Sequence, residues 1–414
     1  MLRVQPRRTS RMNPPAADEA PYIERGTPGF RRTNLAFVCA GFATFALLYC
    51  AQPLLPAFAE GFAVSPAASS LALSLPTAVM AVCMLLASAA SEALGRKPVM
   101  LVSVLASALL TIAAAFAPGW ESFLLLRALL GIALSGLPAV AMAYIAEELH
   151  PRSSGYAMGL YISGTAMGGM AGRVVSGLLL EVGGWRGSVA CIGLLGLVSA
   201  LVFWRSLPPS RHFHPRPLAW GGLAANFAAH LRDPGMRWLY ALGFLFMGSF
   251  VTTYNYIGFR LLAPPFGLPH GVVALVFSVY LVGIGSSALV GGLSDRLGRR
   301  RVLWLTVLAM LAGLALTLAA SLPLLVLGLV LLTFGFFGSH ALASAWVGQR
   351  AGATKAQASS LYLFAYYMGA SVMGASGGFA WAAAGWAGVA GLVGAALATA
   401  LLISLRLTRL GGAG

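Results

Sequence analysis

Charge is what this chain lacks. Only 9% of its 414 residues are Lys, Arg, Asp or Glu, against about a quarter in soluble domains. Eleven are acidic: Asp18, Glu19, Glu24, Glu60, Glu92, Glu121, Glu147, Glu148, Glu181, Asp233 and Asp295. None falls in the middle of an apolar stretch, which disfavours a carboxylate relay deep in a bilayer and a carrier built for cations. Cysteine is equally sparse. Cys39, Cys50, Cys83 and Cys191 lie in apolar runs without CxxC or metal-ligand spacing, so neither a disulfide framework nor a metal centre is expected. There is no P-loop lysine motif, no HExxH and no strand-borne GxGxxG. ATP-driven transport by this chain and the common enzyme constellations are thereby set aside, and no cofactor is implied.

What fills the chain is apolar. Hydrophobic residues make up 59% and glycines number 50, a composition suited to helices packed closely in lipid. Stretches of about 20 residues, long enough to cross a bilayer, fall near 35–56, 67–88, 98–117, 121–146, 156–180, 186–207, 238–261, 271–293, 301–320, 323–346, 357–380 and 383–406. The expected fold is an all-α integral membrane protein of twelve helices in two bundles of six, 34–207 and 238–408. Residues 1–33, rich in Arg and Pro, are expected to form a disordered cytoplasmic tail. Residues 208–237, with Arg211, Arg216, Arg232 and Arg237, form a cytoplasmic linker, and 409–414 a short tail.

The net charge of +16 is distributed by position. Of the 27 Lys and Arg residues, all but Arg127, Arg173, Arg186 and Arg260 fall on the tails or on one alternating set of connections. Such an excess marks the cytoplasmic face. Both termini are therefore expected in the cytoplasm, and the basic charge is a topology signal rather than a nucleic-acid footprint.

The two halves repeat one another. Ser88-x3-Glu92-x2-Gly95-Arg96-Lys97 returns 203 residues later as Gly291-x3-Asp295-Arg296-x-Gly298-Arg299-Arg300. Gln52 pairs with Asn255 at the same offset. Tyr161 with Tyr362, Gly168 with Gly369 and Trp185 with Trp386 follow at an offset two residues shorter. Parallel repeats of this kind are a hallmark of secondary transporters.

With these motifs the chain resembles the major facilitator superfamily over about residues 34–408. The family's loop motif, G-x3-D-R/K-x-G-R-R/K, fits fully from Gly291 to Arg300. The first copy departs, with Ser88 for Gly and Ala93 for the basic residue. The resemblance implies that this loop clamps the cytoplasmic face in the outward-open state; the plainer reading of Arg96, Lys97, Arg299 and Arg300 is topology alone. Leu124-x2-Arg127-x3-Gly131 resembles the motif around a buried arginine that is implicated in proton transfer in related antiporters. A snorkelling arginine is the alternative. Gly164-x3-Gly168-x3-Gly172, followed by Arg173, resembles the family's glycine-rich fifth helix, with Thr165 where antiporters carry proline. This face should allow close helix approach. The segments around Tyr49–Pro56 and Gly248–Pro265 look like bacterial inner-membrane permeases of the sugar-efflux or drug-resistance type.

The fold so implied rocks around a midplane cavity. Its candidate lining residues are Tyr49, Gln52, Tyr144, Tyr161, Tyr254, Asn255, Tyr280, Tyr362 and Tyr366. Tyrosine offers a flat apolar body and one hydroxyl, suited to amphipathic solutes, although each tyrosine could equally be an interfacial anchor. The candidates for proton coupling are Arg127 and His340, the one histidine within a span; a neutral, hydrogen-bonded His340 is the alternative. Arg127 and Arg173, without an evident buried acid, favour an anionic or polar neutral solute. The reading is a monomeric, proton-coupled exporter of a small amphipathic or sugar-like compound. Its rivals are an importer or facilitator of a polar or anionic metabolite and, in another class, a non-transporting membrane sensor.

Overall fold

The structure, a computed structural model, describes residues 22–213 and 220–409. The expected tails at 1–21 and 410–414 and the linker stretch 214–219 lie outside the described residues. Every named element is helical.

Among the described residues, seven helical stretches are long and apolar enough to cross a membrane. Two of these, Pro151–Ser206 and Lys355–Arg409, are hairpins of two crossings each. Their corners sit at Gly184, φ 62°, and Gly385, φ 55°, positive values that favour residues without a Cβ. Three further crossings are weaker by composition. Arg299–Leu316 opens with three arginines. Pro234–Leu262 carries Tyr254, Asn255 and Arg260. The fourth span is broken into Trp120–Leu134 and Pro138–Glu148, because Pro138 has no N–H to continue the ladder. The total is the expected twelve.

Two sequence expectations are corrected at the ends of the first bundle. The first span is Pro28–Tyr49 rather than 35–56, so residues 28–33 are helix, not tail. Thr27 caps it by accepting from Phe30 N at 3.2 Å, and Pro28 occupies the first turn, where its missing donor costs nothing. Residues 22–25 are also ordered. Ile23 N donates to Glu148 O (2.9 Å) and His150 N to Ile23 O (3.3 Å). The linker is partly helical as well, in Trp220–Arg232.

The repeated loop motif has a backbone reason. Gly95 (φ 95°) and Gly298 (φ 84°) each separate two helices at matching places, after Leu71–Leu94 and after Tyr280–Leu297. Only glycine enters that region without strain.

Glycine also sets the helix spacing. A Cβ on Gly164, Gly168 or Gly172 would stand 2.6, 2.0 and 2.6 Å from backbone atoms of Val38, Phe42 and Ala46. The first and fifth spans therefore touch backbone to backbone, as the stacked glycines imply. The second bundle repeats the device. A Cβ on Gly369 would lie 2.0 Å from Phe244 O.

Call the end bearing the basic loops the basic end, and the other the far end. Two of the four exceptional arginines cap helices at the far end. Arg186 donates to Ala115 O and Ala117 O, both at 2.9 Å, where Arg96–Ala115 stops. Arg260 donates to Leu318 O (3.1 Å) and Ala319 O (2.9 Å) beyond Arg299–Leu316. A cation at a helix C-terminus is favoured by the dipole and by the unpaired carbonyls. The two bundles meet at this far end. Ser371 Oγ donates to Ser74 O (2.7 Å), and Gly271 N donates to Glu181 Oε1 (2.7 Å). A Cβ on Gly378 would stand 2.2 Å from Ala67 Cα.

Candidate solute site and its arginines

The first span ends at Tyr49, and the chain turns through 50–54 before the next helix. That turn places Gln52, buried, between the two halves. Its Nε2 donates to Asn255 Oδ1 at 2.7 Å, and its Oε1 accepts from Arg173 Nε at 2.6 Å. Gln52, Asn255 and Arg173 are 1%, 1% and 2% exposed. The turn after the first span and the fifth and seventh spans thus share one hydrogen-bonded chain across the two halves.

Arg173 has no acidic partner among the described ion pairs. The carboxylate of Glu181, eight residues further along the chain, caps Gly271 instead. Arg173 Nη1 donates to Gly169 O at 2.6 Å. The guanidinium carbon lies 4.0 Å from the ring centre of Tyr49, 4.4 Å from Tyr280 and 5.9 Å from Phe277. Each such contact is worth about 0.5–2 kcal/mol, so the rings offset only part of the cost of burying the charge.

Aromatic rings continue from Arg173 into the second bundle. Tyr280 meets Tyr254 at 5.0 Å and Phe250 at 5.2 Å, and Phe250 stacks on Phe336 at 3.9 Å. Phe336 faces His340 and Tyr366 at 6.1 and 6.3 Å. His340 Nδ1 is 3.0 Å from the Tyr362 hydroxyl, and its ring is 4.6 Å from that of Tyr366. Tyr254 shares a 2.8 Å hydrogen bond with Thr333 Oγ1. By contrast, the hydroxyls of Tyr49 and Tyr280 and Nδ2 of Asn255 are buried without a partner.

The structure brings together Tyr49, Gln52, Tyr254, Asn255, Tyr280, Tyr362, Tyr366, His340 and Arg173. Tyr144 stands apart: its hydroxyl donates to Pro208 O (2.9 Å) at the basic end, which corrects its expected place in the cavity. Tyr161 lies edge-on to Phe37 at 6.1 Å, its hydroxyl unpartnered. Phe250, Phe277 and Phe336 went unremarked in the sequence. Among 22 phenylalanines, nothing but three-dimensional position distinguishes them.

Arg127 is committed elsewhere. Its Nε donates to Ala72 O (2.7 Å), Nη1 to Leu47 O (3.1 Å) and Nη2 to Leu48 O (2.7 Å). Ala72 is four residues before Pro76, whose missing N–H leaves that carbonyl open. Leu47 and Leu48 end the first span, where carbonyls are also unpaired. The guanidinium thus joins three spans, and it faces carbonyls rather than a carboxylate.

At the basic end the two motif copies differ. Arg96 is buried and ion-paired to Glu147, with Nη2 to Oε1 at 2.7 Å and Nε to Oε2 at 3.2 Å. Lys97 donates to Leu207 O, and Glu92 is half-buried. In the second copy Asp295, Arg296 and Gly298 are exposed. Asp295 and Gly298 border a cleft of about 460 Å³ that is lined also by Gly291, Arg299, Trp346 and Gln349. Arg299 donates to Gln349 and lies 5.6 Å from the Trp346 ring, while Arg300 lies 6.0 Å from that ring.

Two six-helix bundles closed on one another at one end around a buried polar and aromatic centre define a secondary carrier. Comparison with known proteins agrees. Residues 37–269 match the model of the Major Facilitator Superfamily, and the chain belongs to that family. It is 47% identical over 388 residues to the uncharacterized MFS-type transporter YybF of Bacillus subtilis, covering 94% of this chain and 96% of that one. Identity to the inner membrane transport protein YnfM of Escherichia coli is also 47% over 388 residues, covering 94% and 93%. Among solved structures, a bacterial homologue of the human lysosomal transporter Spinster, inward-facing and occupied, aligns with a TM-score of 0.74 at 17% identity, over 93% of this chain and 98% of that one. The chain is a multi-pass membrane transporter and not an enzyme.

Proposed function

We propose that this chain is a proton-coupled carrier of a small amphipathic compound in a bacterial inner membrane, working by rocking of its two bundles around the site beside the Gln52–Asn255 contact. The supporting observation is the placement of that contact. It joins equivalent positions of the two halves at the buried centre, beside the aromatic rings. Alternating access requires such a centre to be reachable from one side at a time.

The basic end is assigned to the cytoplasm, by the Lys and Arg excess on its loops. Both termini then face the cytoplasm, and the far-end contacts close the periplasmic side. The exposed Asp295 motif fits this state, because the clamp implied by the resemblance would be released when the cytoplasmic side is open. His340 is assigned to proton coupling. It is the histidine inside the aromatic cage, within hydrogen-bond distance of Tyr362. Export is the proposed direction, with lipids around a monomer.

A second reading, uptake or facilitated passage of an anionic metabolite, is favoured by the unpaired charge of Arg173.

The test is a proton-flux assay in inverted membrane vesicles. A pH-sensitive dye follows an imposed gradient while dyes, antibiotics, sugars and organic anions are added singly. A compound that dissipates the gradient with the wild-type chain and not with His340→Gln supports coupled export. Solute movement that is independent of the gradient in both proteins overturns it in favour of facilitated passage.

A further inference from the structure

We propose that the solute is a planar organic monoanion, a carboxylate carried on an aromatic or conjugated body, and that Arg173 receives its charge. The inference deepens the carrier reading and rests on it.

Four observations converge. First, the cationic guanidinium of Arg173 is 2% exposed. Its described partners are all neutral: Gln52 Oε1, Gly169 O and the rings of Tyr49, Tyr280 and Phe277. Charged side chains inside a membrane are ordinarily paired, so the missing counter-charge is the property to explain.

Second, the acids of the neighbouring helices are engaged elsewhere. Glu181 accepts from Gly271 N at the far end. Glu147 and Glu148 lie at the basic end, paired with Arg96 and His212. None of the three supplies a carboxylate to Arg173.

Third, the neighbouring polar groups without partners are donors. Asn255 Nδ2 can only donate, and the hydroxyls of Tyr49 and Tyr280 can donate. All three residues are at least nine-tenths buried. A cation arriving here would meet a guanidinium and unpaired donors. An anion would meet their complement, and charge-assisted hydrogen bonds in a dry site are the strong ones.

Fourth, the walls are flat. Tyr254, Phe277, Phe250 and Phe336 form a run of rings leading away from the guanidinium. An acid head at Arg173 directs an attached ring along that run, where offset stacking is favourable.

Arg173 also holds the far-end closure, through Gln52 to Asn255 and through the ring of Tyr280 on the other bundle. An anion that takes up its donors competes with both contacts. Binding therefore loosens the closure from within.

The test is thermal unfolding of the purified full-length chain against matched isosteres: benzoate with benzamide, and cinnamate with cinnamyl alcohol, at neutral pH and constant ionic strength. The anions are expected to raise the unfolding midpoint saturably, with apparent affinity at least ~10-fold above that of their neutral partners. Arg173→Gln should abolish that preference, and Arg173→Lys should retain part of it. Equal binding of neutral and anionic partners overturns the inference, as does no binding of either anion to folded wild-type chain. These outcomes need no variant to fold. Uptake of radiolabelled benzoate and, separately, radiolabelled benzamide into proteoliposomes separates the two readings. Binding without translocation would remove the carrier reading and leave the ligand class standing, whereas translocation of the neutral partners alone would do the reverse.

Discussion

Gln52 and Asn255 occupy equivalent positions of the two halves and hydrogen-bond directly to each other at 2.7 Å. Gln52 also accepts from Arg173, so one amide serves both halves and the buried charge. Gln52→Leu should therefore remove two hydrogen bonds at once. Leaving buried partners unsatisfied costs about 1–3 kcal/mol each. A double-mutant cycle with Asn255→Leu, read by unfolding midpoint and by flux, should show coupling of at least ~0.5 kcal/mol. Strict additivity would mean that the contact carries no energy.

Helix spacing predicts a contrast between two glycines on the same span. Gly168→Ala would place a methyl 2.0 Å from Phe42 O, whereas Gly159→Ala meets nothing within 4 Å. The first should cost about 1–3 kcal/mol through overpacking. The second should be neutral or slightly stabilising. Chemical unfolding in detergent distinguishes them, and equal effects would contradict the backbone contact between the first and fifth spans.

Arg127 is predicted to act as a strut. Arg127→Ala strips donors from three buried carbonyls and should lower the unfolding midpoint markedly. Arg127→Lys should rescue little, because one ammonium lacks the planar fork that reaches three acceptors. A wild-type midpoint with lost proton flux would return this residue to the coupling role that the resemblance implies.

The Asp233–Arg350 pair at the basic end predicts a pH effect. Burial raises the Asp233 pKa, but the hydrogen bond and charge of Arg350 and the backbone donors of Met236 and Gly235 outweigh it, leaving the pKa below the ordinary value of 3.8. A carboxylate depressed in the folded state contributes stability that is present above its unfolded pKa of about 3.9 and lost as pH falls through the lower folded value. The stability difference between wild type and Asp233→Asn should thus be constant from neutral pH to about 5 and shrink below about 4. A pH-independent difference would show that the ionised form is not favoured by folding.

Asp295 is exposed beside an open cleft, so this conformation gains little from the carboxylate. Asp295→Asn should destabilise only the alternate state. Spin labels on the basic ends of the fifth and ninth spans should report a shift toward the basic-end-open population, with slower exchange and unchanged solute affinity. An unchanged distance distribution would reduce the motif to a topology signal.

The amino-acid sequence by itself determined the class. Hydrophobic length set the number of crossings, the repeat set the two bundles, and stacked Gly164, Gly168 and Gly172 announced a close helix pair, because these depend on period and composition along one chain. Gly95 and Gly298 were legible for the same local reason: the turn needs a backbone without a Cβ. Even Gln52 and Asn255 could be matched by their spacing. That they touch could not be read, since equivalence in a repeat does not imply contact across its axis. The order of residues 22–33 was hidden because it depends on the Thr27 cap and on backbone bonds to Glu148 and His150. Tertiary structure alone separated the two buried arginines. Arg127 and Arg173 look alike in sequence, each a lone cation in an apolar helix. Folding places three open carbonyls around the first and aromatic faces around the second. A charge takes its chemical role from what surrounds it, and those surroundings come from spans distant in the chain.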